Sequence, residues 1–516
     1  MRKLLAILQI FVLMAAMALP TAFAAEAPIM LAGLEAASSS SSTEAQHDWD
    51  TNLFFQTMQE KTGIAFSFTE YVSREAWTEA KTEMLAGEVA MPDMFFKAEL
   101  TPQETLAFYE AGKLIDLRPY LAEYAPHVWA LLEANPEWLE AVSLPDGAIV
   151  ALPSINELAP NNTMWINKTW LDRLKMAVPT TAEELTEVLR QFRDRDMNQN
   201  GSRNDEIPLS FVSMWDLRFL AHAFGINADD YYLTEQDGKI SEVLTTEENR
   251  AFLTWLHELY TEGLLDSQGF MAMRLVEAAM STSSSSSNAT AKYGVVFGAT
   301  PQDVVGVNLA PEYIALDPLV YNGQQVYRDF TGDIYRGTFA ISSTCAEPEK
   351  LLQWVDYLYT DEGFLAAQVG REGEDYDWND DGTWAYARTA EEVVAMQDTN
   401  TIWTTSMPSY ASADIQMKMD DDATHALAAE LARVRQWEKR AMPLLYLTQE
   451  QMNRVTELQS GISTYAETRM AWFVAGDVEL NDETWADFCA QVKALGIDEM
   501  VSIWQSAYDN AWHLDK

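Results

Sequence analysis

The segment Asp196-x-Asn198-x-Asn200-Gly201-Ser202, followed by Asp205 and Glu206, has the donor types and spacing of a calcium loop. Hard cations take several oxygens from one tight turn; side chains at alternate positions converge, and a glycine after the third ligand permits the sharp bend. Asp196, Asn198 and Asn200 supply that spacing, the Ser202 carbonyl comes next, and Asp205 and Glu206 close the shell, so one structural Ca²⁺ is expected here. The closing acids stand at the tenth and eleventh positions instead of the twelfth, which makes the loop EF-hand-like; the bland alternative is an Asn/Gly turn without metal. Asp377-x-Asn379-x-Asp381-Gly382 opens the same way but reaches Arg388 at the closing position, and is expected to be a hairpin turn.

The second chemical signal is aromatic. Seventeen tryptophans in a chain that is 11% Phe, Trp and Tyr exceed packing needs, and indole faces stack well on the apolar faces of sugar rings. Trp129, Trp138, Trp255, Trp354, Trp437, Trp485 and Trp504 fall in helical patterns and are expected in cores. Trp165, Trp215, Trp378, Trp384 and Trp403 lie in or beside polar, loop-like stretches, and are the candidate carbohydrate contacts. No phosphate loop, G-x-G-x-x-G, G-x-S-x-G elbow, H-E-x-x-H or Cys-x-x-Cys is present, and the six histidines stand singly. Among 79 acidic residues some pair always sits at a glycosidase-like separation, so carboxylate pairs carry no information.

The elements that must position these groups are those of a large globular protein. The chain has 516 residues, 48% hydrophobic and 22% charged, enough for two large lobes. Its formal charge of −45 repels phosphate backbones, which excludes nucleic acid as a partner. Arg2-Lys3, the apolar run Leu4–Leu19 and Ala22-Phe23-Ala24 form a signal peptide over residues 1–24, so export is expected, with no second span long enough to cross a membrane. No cysteine stands at the expected mature N-terminus to carry a lipid; Cys345 and Cys489 leave both a disulfide and two free thiols open. Serine runs at Ser38–Ser42 and Ser281–Ser287 read as loops. Ile64, Phe66 and Phe68 alternate as a strand; Leu185, Val188, Leu189 and Phe192, and later Leu351, Trp354, Val355 and Leu358, keep the helical period. Gly294–Ala299, Tyr313–Leu316 and Thr338–Ser343 are expected strands, and from Thr424 the pattern is nearly all helical, which predicts an α/β body with a helical C-terminal layer.

The fragments FFQTMQEKTGIAFSF, MPDMFF, GKLIDLRPYL, DGAIVALPS, MWINKTWLDRLKMAVPTTAEELTEVL, DMNQNGSRNDEIPLSF, AISSTCAEPEKLLQWVDYLYTDEGF, REGEDYDWNDDG and ISTYAETRMAWFVAGDV follow one another in an order that resembles the extracellular solute-binding proteins of ABC importers, family 1, in the carbohydrate group related to maltose-binding protein. The resemblance implies a two-lobed periplasmic-binding-protein-like fold with a central ligand cleft, an oligosaccharide ligand, an ABC permease as partner, no enzymatic activity and a monomer. By matching position it implies a first lobe of residues 25–154 and 317–341 and a second of 155–316 and 342–516. Crossings then fall near Pro153–Asn156, Ala315–Pro318 and Phe339–Ser343. It aligns Trp215 with an aromatic platform of the second lobe and puts Asp93 to Phe96 on the first lobe's cleft edge. The rival classes are a binder of a non-sugar ligand such as an oligopeptide, and an exported glycoside hydrolase; a ligand screen and a search for new reducing ends separate them.

Overall fold

A computed structural model describes residues 29–36 (as backbone), 51–71, 74–159, 161–270, 290–328, 333–402 and 407–514. The expected signal peptide, both serine runs and Trp403 lie outside the described residues.

Two sheets organise the chain. The first has six strands in the order Tyr410–Ala411, Leu152–Asn156, Ile334–Ile341, Met94–Phe96, Ile29–Ala36 and Ile64–Tyr71. All run parallel except Ile334–Ile341, which is antiparallel to both neighbours. The second sheet orders Tyr313–Ala315, Thr163–Asn167, Tyr293–Gly298 and Ile207–Leu209. Each has its own core. Helices on one face of the first sheet bury Phe54, Phe55, Leu121, Trp138 and Trp354 with Phe96 and Phe339. Its other face buries Trp77, Phe95, Phe108 and Ala340, the alternation a strand requires. The second sheet packs Trp165, Leu209, Val295 and Tyr313 with Leu185, Phe192 and Leu256, and with Val455, Phe473, Trp485 and Trp504 of the C-terminal helices.

Those helices, Gln449–Ala475, Asp482–Ala494 and Ile497–Asn510, are the expected helical layer. The first opens on a reciprocal cap between Thr448 and Gln451 and closes on Gly476 at φ 81°. After the last helix the chain returns to the first lobe, where Trp512 lies under the Arg118 guanidinium and the Leu514 amide donates to Glu140.

The division of the chain differs from the expected one. The chain passes to the second sheet between Asn156 and Thr163, but Leu319 and Tyr327 still pack in the second core, so the return falls between Arg328 and Ile334 and not at Ala315–Pro318. Phe339–Ser343 is no crossing either. It ends a central strand of the first sheet, and the helices that follow at once, Pro348–Asp356 and Asp361–Gln368, cover that same lobe through Leu351, Trp354, Leu358 and Ala367. Short connections keep successive elements adjacent, so residues 342–411 stay with the first lobe; the third crossing lies between Ile415 and Val434. Cys345 packs at the first core and Cys489 at the second, and both are free thiols.

Candidate ligand cleft and calcium loop

Strand direction locates a candidate cleft. The first sheet's parallel strands end at Tyr71, Phe96, Asn156 and Ala411, and its antiparallel strand begins there at Ile334, so all three crossings leave one edge. In the second sheet the matching edge holds the start of Thr163–Asn167 and the ends of Ile207–Leu209, Tyr293–Gly298 and Tyr313–Ala315. Open α/β sheets take ligands outside their carboxyl edges, and here the two edges face across the crossings.

On the second edge Ser213 caps the short helix Met214–Leu217 by accepting from the Trp215 amide, while Asp216 accepts from the Val212 amide at 2.8 Å and from Asn162 Nδ2 at 3.0 Å, which ties the helix to the first crossing. This holds the Trp215 indole half-buried, edge-on to Phe219 with ring centroids 5.1 Å apart. Its Nε1 donates to Asp230 Oδ1 at 2.9 Å. Arg218 Nη2 and Arg328 Nη2 donate to the same oxygen at 2.9 and 2.7 Å. Burial opposes ionisation of Asp230, but the Arg328 and Arg218 charges outweigh it and hold the carboxyl below its ordinary range. The adjacent Asp229 shows the opposite balance: burial pushes it up to about 7 although it accepts the amides of Leu233 and Tyr231.

On the first edge Lys97 and Glu99 take the left-handed conformation at φ 53° and 47°. Opposite them the strand register against Leu152–Asn156 shifts between Tyr335 and Phe339, with Gly337 at φ 76°; a Cβ there would sit 2.0 Å from the Leu100 carbonyl oxygen. Such irregularities re-aim side chains beside binding sites. Here Tyr335 is 46% exposed beside Glu99, and burial and that carboxylate raise its phenol above the usual value.

The candidate residues separate cleanly. Trp215 sits just past the strand Ile207–Leu209, at the second sheet's carboxyl edge. Trp165 does not: it is 1% exposed in a strand buried at every residue, its Nε1 donating to the Gly298 carbonyl at 2.9 Å. Trp384 is likewise a core residue, packed against Tyr376 and Tyr386 with Nε1 on the Ile415 carbonyl. Trp378 is 40% exposed on the hairpin Tyr376–Trp378/Trp384–Tyr386, the hairpin expected there, whose turn runs from Asn379 to Thr383. Phe96 is fully buried against Phe55 and Trp354. Asp93 immediately precedes the strand Met94–Phe96, at the edge away from the crossings, with its carbonyl accepting from the Ser342 amide. Sequence reasoning missed Asp230, Arg218, Arg328 and Tyr335, and no local pattern singles them out, because they are brought together from distant parts of the chain.

The segment from Asp196 follows the helix Ala182–Asp194 and leads into the strand Ile207–Leu209. It folds as one turn, with Gln199 and Gly201 left-handed. Asp196 accepts the amides of Asn200 at 3.1 Å and Gly201 at 2.9 Å; Asn200 Oδ1 accepts that of Ser202; Glu206 Oε1 accepts those of Met197 and Asn198. The side-chain Nδ2 groups of Asn198 and Asn200 donate to Asp205 Oδ2. Two buried carboxylate oxygens, Asp205 Oδ1 and Glu206 Oε2, have no hydrogen-bond partner, as fits a cation's donors. Among the described residues, no three acids, histidines or cysteines already converge at metal-binding distance.

No protein-family model matches the chain. A search of characterised proteins finds the fructooligosaccharide ABC transporter substrate-binding protein FusA of Streptococcus pneumoniae, 25% identical over 501 residues, which span 91% of this chain and 89% of FusA. This chain is a homologue of ABC-transporter substrate-binding proteins. The fold agrees. An HMO-binding solute-binding protein of Bifidobacterium longum infantis superposes with a TM-score of 0.74 at 23% identity, covering 94% of this chain and 99% of that one. FusA in complex with kestose superposes at 0.65 and 23%, covering 93% and 99%, and a FusA EF-hand mutant has also been solved. Among the described residues no helix is long and apolar enough to cross a membrane.

Proposed function

We propose that the protein is the exported substrate-binding component of an ABC importer, a monomer that captures an oligosaccharide between its lobes and hands it to a membrane permease without transforming it. The observation that carries this is Trp215, a half-buried indole held by Asp230 just past the strand Ile207–Leu209, at the carboxyl edge of the second sheet. Sugar rings stack on such a face. A ligand touching both lobes stabilises the closed arrangement by its differential affinity, which is how capture becomes a shape the permease can sense. Trp378 remains a candidate second contact. The relatives' oligosaccharides make neutral glycans the first ligands to test. A thermal-shift screen of kestose, milk oligosaccharides and peptides decides between sugar and peptide, since a ligand at ~100 times its Kd stabilises by about 2.7 kcal/mol. Release of reducing ends during incubation would overturn the non-enzymatic part.

The second element of the reading is one structural Ca²⁺ on Asp196, Asn198, Asn200, the Ser202 carbonyl, Asp205 and Glu206. Its support is the pair of partnerless oxygens on Asp205 and Glu206, together with the EF-hand noted for FusA. Turning the Asn198 and Asn200 amides would point their oxygens, now turned away from Asp205, toward the ion. The loop joins a helix to an edge strand whose end leads to Trp215, so the ion would stiffen the cleft wall without touching sugar.

A further inference from the structure

We infer that Arg218 and Arg328 hold a monovalent anion of the halide class, chloride-sized, in the small cavity they share with Met214 and Tyr232. The site belongs to the scaffold and does not depend on which ligand the cleft takes.

Charge does not balance around these side chains. Arg218 Nη2 and Arg328 Nη2 both donate to Asp230 Oδ1, so one carboxylate meets two guanidiniums whose side chains are only 12% and 5% exposed. The adjacent Asp229, pushed up to about 7 by burial, is only partly ionised at neutral pH. Arg328 is held below its ordinary value by burial and then by the positive charge of Arg218, so the two cations repel each other. Excess buried charge costs free energy until a counter-charge offsets it. The hydrogen bonds point the same way. Arg218 commits Nη2 to Asp230, while its buried Nε and Nη1 have no hydrogen-bond partner among the described residues. Both arginines line a cavity of about 30 Å³ together with Met214, Tyr232, Asn249 and Met470, and among the described residues no acid lines it. Such a volume suits one monatomic anion or about two waters, and is too small for a tetrahedral oxyanion. A water accepting from a guanidinium also needs acceptors for its own hydrogens, which a mostly apolar wall supplies poorly; a halide only accepts. Holding it would fix Arg218, and through Asp230 the Trp215 N–H, before any ligand arrives.

The test is thermal melting of the full chain at fixed neutral pH and ionic strength, with chloride replacing gluconate. Chloride should raise Tm saturably, by about 2–4 °C once it exceeds its Kd several-fold, and bromide should do the same. Crystals soaked in bromide should show an anomalous peak between the two guanidiniums. Arg218→Met removes the donors and one charge from the cavity, and should melt alike in both salts; comparing it with the parent cancels general salt effects. Arg190→Met, which removes an exposed arginine paired with Glu262, should keep the parent's chloride response. If Arg218→Met does not fold, Ala221→Val narrows the cavity while keeping both arginines, and should lose the response. Equal parent melts in chloride and gluconate, a bromide map without a peak in the cavity, or a full chloride response in Arg218→Met overturns the inference and leaves water as the arginines' partner.

Discussion

Trp215→Ala separates platform from scaffold. The substitution removes the half-buried indole and one of the three donors on Asp230 Oδ1, leaving the arginines in place. An aromatic stack is worth roughly 0.5–1.5 kcal/mol beyond area, and covering some 50 Å² of ring adds about 1 kcal/mol, so the loss should be about 2 kcal/mol, or roughly 30-fold in Kd. Trp215→Phe keeps a ring but loses the N–H; with two charged donors remaining it should cost only about 1 kcal/mol, roughly fivefold. Trp165→Ala is the contrast: that indole is 1% exposed in a central strand, and its removal should cost about 3–5 kcal/mol of stability with little specific effect on affinity. Calorimetric titration with kestose, or with whichever neutral glycan the screen returns, gives the affinities, and scanning calorimetry gives the stabilities. If Trp215→Ala binds like the parent, the ligand does not use this edge and the topological placement of the cleft is wrong.

Chelation with EDTA should lower Tm, because calcium at ~100 times its Kd contributes about 2.7 kcal/mol, and Asp205→Asn with Glu206→Gln should abolish that shift; an unchanged Tm with no calcium by metal analysis leaves the loop a turn. Asp229, raised from an ordinary value of 3.8 to about 7 by burial, favours folding most fully below pH 3.8 and loses that contribution as pH rises through 7. Asp229→Asn should therefore gain stability relative to the parent between pH 4 and 8, by on the order of 4 kcal/mol at the upper end, and a flat difference curve from denaturant melts would contradict it. Gly337→Ala forces a Cβ within 2.0 Å of the Leu100 carbonyl oxygen at φ 76° and should cost about 2 kcal/mol or more, with displaced Tyr335 signals by NMR; an unaltered melt would show the strand yields there.

Local rules determined much of this protein. Strands and helices at Ile64–Tyr71, Ala182–Asp194, Tyr293–Gly298, Pro348–Asp356 and Ile497–Asn510 follow from period and caps, because the pattern of burial along one element is written in consecutive residues. The turn at Asp196 and the hairpin at Asp377 are legible for the same reason: their donors and glycines are neighbours in sequence. The order of short fragments also pointed to the fold class. What tertiary structure alone decided is which aromatic residues are reachable. Trp165, Trp215 and Trp384 share polar sequence surroundings, yet the Gly298 strand covers the first, Ile415 and Tyr376 enclose the third, and only the second stands at an open edge. Strand direction put Asp93 at the wrong end and Phe96 in the core. Asp230 gathers Arg218 from twelve residues away and Arg328 from ninety-eight, and residues 342–411 join the first lobe because they cover its sheet. Burial and charge pairing depend on neighbours brought together by the fold, and no periodicity in the chain encodes them.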